Sequence, residues 1–150
     1  MKNKLFIIFL LFTCLAFSQE VSNFFDIKVL QVIDGDTFKI NIEKCMWKVF
    51  CKNMSVRVRG IDTPEIRSKD EKEKQKAKQA KQFTKDFLKQ GKVNLIYCTR
   101  DKYFRLLCNV KVRPPEIKDK DFSKDKDLAE ALLSAELAKP YFGGKKNADN

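Results

Sequence analysis

The stretch Val56-Arg57-Val58-Arg59-Gly60-Ile61-Asp62-Thr63-Pro64-Glu65 decides how this chain reads. Alternation predicts a strand from Val56, with the valines on one face and both arginines on the other. Carried through Gly60, the same period puts Asp62 at the end of the apolar face. Pro64 lacks an N–H and holds Thr63 extended, which fixes the direction of the Thr63 carbonyl. Glu65 follows across that stiff turn. Two cations, two carboxylates and one fixed carbonyl between Arg57 and Glu65 are more than a loop needs.

Upstream, Val29–Ile33 and Thr37–Ile42 are β-rich arms around a tight-turn signal at Asp34-Gly35. Phe38, Ile40 and Ile42 share one face of the second arm, and Asp36 has their parity. Asp36 therefore ends an apolar row, as Asp62 does. Carboxylates are seldom buried alone, so two of them at strand ends point to a shared cation. Asp36, Asp62 and the Thr63 carbonyl are hard oxygen donors, a set that suits calcium and admits magnesium or manganese. Arginine's planar fork holds two phosphate oxygens at once, and two such groups would stabilise a pentacoordinate transition state. Glu65, if ionised, can take a proton from water. Each piece alone reads blandly: a hairpin turn, a helix start, exposed strand arginines. Their joint occurrence points to phosphodiester chemistry.

Composition sets the setting. Lys2 and Lys4 precede an apolar run from Leu5 that continues to Phe17, and Ala16-Phe17-Ser18 has the small-x-small form of a cleavage site. Residues 1–18 are expected to be a signal peptide, with an exported mature chain starting at Gln19. Its loss takes two lysines and no acid from the total of +11, leaving +9 on 132 residues. One domain of that size can bury a real core, and its charge favours polyanions. Four cysteines remain: Cys45, Cys51, Cys98 and Cys108. A Cys45–Cys51 disulfide is expected, whereas opposite strand parities weigh against Cys98–Cys108. The chain has no histidine, which excludes a histidine base or a histidine-bound metal.

Ala77, Ala80, Phe83, Phe87 and Leu88 recur at helical spacing within the lysine-dense segment 67–92. Those lysines read first as a solvated face. Val93–Tyr97 and Phe104–Val112 form a strand pair, and Leu128–Lys139 a second helix stopped by Pro140. Residues 143–150 are a polar tail. Five strands in hairpins with a helix after the third make an α+β domain over 19–142 and suit a partly open barrel of the oligonucleotide-binding type.

Three motifs together carry a resemblance: Val-Ile-Asp-Gly-Asp-Thr (32–37), Arg57 with Ile-Asp-Thr-Pro-Glu (61–65), and Asp-Lys-Tyr-Phe-Arg (101–105). Over about Val29 to Lys139 the chain resembles the thermonuclease family, the staphylococcal nuclease fold. The resemblance implies a five-stranded OB-fold β-barrel with two or three packed helices. It also implies a calcium-dependent phosphodiesterase, acting as a monomer on DNA and RNA and leaving 3′-phosphate ends. On that resemblance Asp36, Asp62 and Thr63 are the calcium ligands and Glu65 is the general base. Arg57, rather than Arg59, and Arg105 are the phosphate arginines, and Lys102 and Tyr103 contact the nucleotide. Phe104 and Glu136 depart from the family by replacing glycines, and a third helix of the staphylococcal form is not expected after the second. The rival reading is a barrel that binds nucleic acid or another polyanion without cutting it.

Overall fold

The computed structural model describes residues 21–43, 51–118 and 122–143. The expected signal peptide, Cys45 and the tail beyond Gly143 lie outside them. In chain order the strands are β1 (Ser22–Ile27), β2 (Val29–Asp34), β3 (Thr37–Ile40), β4 (Met54–Val58) and β5 (Ile61–Asp62). Helix α1 (Glu71–Leu88) follows, then β6 (Lys92–Arg100), β7 (Leu106–Arg113), a 3₁₀ turn at Phe122–Lys124 and β8 (Lys126–Asp127). Helix α2 (Leu128–Ser134) and β9 (Lys139–Pro140) complete the order.

The main sheet runs β1-β6-β7-β4-β3-β2, with β8 added to β7, while β5 and β9 form a separate pair. All pairings are antiparallel except β4 with β7. Five of these strands are the expected ones. β1 is additional, and among the described residues the two ends of the path do not pair, so the barrel stays open. Sequence alternation misses β1 because it is irregular: its register slips twice against β6, and Asp26 has a φ of 54°.

The inner face is the expected apolar row. Phe38, Ile40, Val56, Val58, Leu95, Cys108, Val110 and Val112 are all buried. Helix α1 covers one side of this core through Ala77, Ala80, Thr84, Phe87 and Leu88. Asp70 caps it by accepting from the Lys72 N–H, and Glu71 and Glu73 complement its first turn. Gly91 after it is needed for close approach, since a Cβ there would sit 1.9 Å from the Arg113 carbonyl oxygen.

Two expectations are corrected. The second helix stops at Ser134, not Lys139. Glu136 turns left-handed at φ 55°, the Leu137 N–H donates to the Leu132 carbonyl, and the Glu136 N–H donates to that of Leu133. This is a Schellman end. Leu137 prolongs the apolar period because it packs back on the core from beyond the helix. The chain is thereby released to pair β9 with β5, Asp62 opposite Lys139.

The second correction is the disulfide. Cys98 and Cys108 are bonded to each other and buried. The parity objection fails because β6 carries a bulge: Ile96 pairs Asn109 and Thr99 pairs Leu107, so two residues of β6 oppose Cys108 alone. Tyr97, at φ 54°, takes up the extra residue and points outward, which returns Cys98 to the core. Cys51 is also disulfide-bonded; its expected partner Cys45 lies outside the described residues.

Candidate functional site

The site assembles on two turns. The β2–β3 turn carries Asp34, Gly35 and Asp36, and α1 presses directly against it. A Cβ on Gly35 would meet the Ala80 Cβ at 2.7 Å and the Thr63 Cγ2 at 2.8 Å. The Thr84 hydroxyl donates to the Gly35 carbonyl. The small-residue stripe of the helix thus seats the turn that presents Asp36.

Asp36 is 3 % exposed. Its Oδ1 accepts from the Thr37 hydroxyl at 2.8 Å and from Arg57 Nη1 at 2.9 Å, and its Oδ2 accepts from the Thr63 N–H at 3.0 Å. Arg57 Nη2 donates to Asp62 Oδ1 at 2.6 Å. One guanidinium therefore spans both aspartates. The route to Asp62 differs from the expected one. Gly60, at φ 82°, ends the β4 alternation, so Ile61 is buried and Asp62 turns toward Arg57 instead of the core.

Parity leaves Arg57 and Arg59 equivalent, and the structure separates them. The Arg59 Nη2 group donates to the carbonyls of Tyr97 and Leu107, both at 2.8 Å, and to the Thr99 hydroxyl at 3.0 Å. It braces the β6 bulge. Arg57 alone enters the site.

Arg105 comes from the β6–β7 turn. Asp101 holds it: Oδ2 accepts from Arg105 Nε at 2.7 Å, and Oδ1 accepts from the backbone N–H groups of Tyr103 and Arg105. Burial pushes the Asp101 carboxyl up, but the Arg105 side chain and those two N–H groups outweigh it and leave the group below its ordinary value. Lys102 Nζ lies 5.1 Å and the Arg105 guanidinium carbon 5.2 Å from the centre of the Tyr103 ring. Phe104, at φ 61°, is 82 % exposed and does not line the cavity, so it does not crowd the arginine beside it.

Asp36, Arg57, Asp62, Thr63, Glu65 and Arg105 line one cavity of about 610 Å³. Six of the eight residues singled out from sequence thus meet, with Lys102 and Tyr103 on the adjoining hairpin tip. Sequence reading passed over Asp34, Arg67 and Lys81, which line the same cavity. Asp34 was absorbed into the turn signal and Lys81 into a solvated face. Burial, then the nearby Asp36 charge, raises the Asp34 carboxyl above its ordinary value, while Lys81 opposes this. Adjacency of Lys81 to the turn-contacting Ala80 was the available clue.

A profile described as "Staphylococcal nuclease homologue" matches residues 55–150, more than half of the chain. The chain belongs to the staphylococcal nuclease family. Its fold is accordingly the OB type, α+β, with the sheet left open here. A thermonuclease from Staphylococcus hyicus is 31 % identical over 117 residues, which is 77 % of this chain and 62 % of that protein. The chain thus spans less than two thirds of that relative's length.

Among the described residues no group of three or more Asp, Glu, His or Cys converges as a ready-made metal cage. What the cavity offers is the Asp36 and Asp62 carboxylates within reach of one guanidinium, with Asp34, Thr63 and Glu65 as further oxygen donors in its lining. Such a set fits a hard cation that keeps several waters.

Proposed function

We propose that this chain is an exported, calcium-dependent nuclease that hydrolyses phosphodiester bonds of DNA and RNA to leave 3′-phosphate ends. The observation that carries this reading is the convergence of Asp36, Asp62, Glu65, Arg57 and Arg105 on one cavity. Asp36, Asp62 and the Thr63 carbonyl are the residues that would hold the ion. When bound, it would supply positive charge against a phosphate oxygen and acidify water.

The chain's own groups do the remaining work. Arg105 is anchored through Nε, so its outer fork is presented to the cavity and pre-aimed at phosphate oxygens. Its charge is fixed before reaction, so stabilising the extra negative charge of the transition state needs no reorganisation. Arg57, already within the aspartate pair, adds its charge to the same cavity. Glu65 is exposed at the cavity edge and accepts a proton from the attacking water. The new P–O bond forms as the bond to the 5′ oxygen breaks; that oxygen takes a proton from solvent and leaves as a 5′-hydroxyl, so phosphate remains on the 3′ side. Binding rests on backbone charge, so it is indifferent to base sequence.

An activity gel of the purified mature chain, with calcium in one lane and chelator in the other, tests the proposal. Degradation only with calcium is expected. Equal survival of DNA in both lanes would reduce the protein to a polyanion-binding barrel. Export predicts a mature N-terminus at Gln19 by intact mass, and a chain retaining Met1 would refute it.

A further inference from the structure

The lysines of α1 are not distributed evenly around it. At 3.6 residues per turn, Lys74, Lys78, Lys81 and Lys85 fall within an arc of about 60° and span about 17 Å along the axis. This row lies on one flank of the buried stripe of Ala77, Ala80, Thr84 and Leu88. Lys81, half-buried, lines the cavity that holds Asp36 and Arg105. Lys78 and Lys85, one turn away on either side, are exposed and have no ion-pair partner among the described residues. Lys74 pairs with Glu71 at 3.0 Å. Opposite the buried stripe the helix is less basic: Gln75, Gln79, Gln82 and Asp86 lie there, with Gln82 bonded to Asp86, while Lys72 and Lys76 fall on the stripe's other flank.

Stacking like charges three and four residues apart destabilises a helix. Asp34 offsets this in part for Lys81 and the C-terminal end of the helix for Lys85, but among the described residues no ion pair offsets it at Lys78 or Lys85. A ligand with repeated negative charge would do so. We propose that this lysine row is an extended phosphate-backbone track, along which a nucleic-acid strand leaves the cavity past Lys81. The track binds polyphosphate backbone beyond the reacting phosphate, by charge and without base contacts. The inference deepens the proposed function and rests on it for the strand's starting point, although binding alone can test it.

Salt-dependent anisotropy binding in chelator separates the two. The probes are a labelled single strand of ~20 nucleotides and a labelled dinucleotide, with each phosphate contact expected to contribute about 0.7 to the log–log slope. Lys78→Gln with Lys85→Gln should lower the slope for the long strand by about 1.4 and weaken it roughly tens-fold near ~0.1 M salt. Dinucleotide affinity should not change. The charge-matched pair Lys72→Gln with Lys76→Gln, toward the other side of the helix, should leave the long-strand slope close to wild type. Equal effects of the two pairs, or no effect of the first, would overturn the track. Circular dichroism of both variants checks that α1 is intact. A wild-type chain that binds with the expected slope yet cuts nothing with calcium would end the nuclease reading and leave the track standing.

Discussion

Arg57→Ala should destabilise the protein because it strands one carboxylate and not the other. Asp36 has a side chain 4 % exposed, whereas Asp62 is 23 % exposed and Arg57 itself 16 %. On losing Arg57, Asp62 turns to water, but Asp36 keeps only the Thr37 hydroxyl and the Thr63 N–H. Breaking a fully buried pair costs about 3–5 kcal/mol, and the partial exposure of Arg57 reduces this to about 2–3 kcal/mol. Urea unfolding should show it as a lower midpoint at unchanged slope. If the cost is a stranded charge, adding Asp36→Asn to the Arg57→Ala chain should restore about 1 kcal/mol or more. A single variant within about 0.5 kcal/mol of wild type, or strictly additive losses in the double, would refute this account.

The catalytic assignment predicts a different pattern. Glu65→Gln should lower kcat by about 10²-fold or more while leaving the melting temperature near wild type, since Glu65 is exposed at the cavity rim. A loss of stability comparable to Phe38→Ala would contradict that placement. Phe104→Gly and Glu136→Gly relieve left-handed conformations at exposed sites. Each trades about 1–2 kcal/mol of backbone strain against about 0.5–1 kcal/mol of added chain entropy, so thermal melts should shift slightly upward. The depressed Asp101 carboxyl contributes stability that is fully present above its ordinary value of 3.8 and lost as pH falls through the lower folded value. The stability gap between wild type and Asp101→Asn should therefore be flat at neutral pH and close only in acid below 3.8; a gap that closes above pH 5 would refute this.

Much of this molecule was legible locally. The Asp34-Gly35 turn, the alternation around Phe38 and Val56, and the small-residue period of α1 are encoded within a few residues of where they act. So are the carboxylates and the arginines themselves. What the sequence could determine was the inventory of charges and, within an unbroken strand, the face each one takes; Asp62, beyond the left-handed Gly60, took the other face. Tertiary structure decided their partners. Period two says that Arg57 and Arg59 share a face, but not that one meets two aspartates while the other meets the carbonyls of a neighbouring bulge. The same period placed Cys98 and Cys108 on opposite faces, and a single left-handed residue at Tyr97 reversed the outcome. A register slip depends on what lies across the sheet, which no pattern along one strand contains. Lys81 and Asp34 belong to the cavity for the same reason: helix and turn meet through Ala80, Thr84 and Gly35, a contact that exists only once the chain has folded.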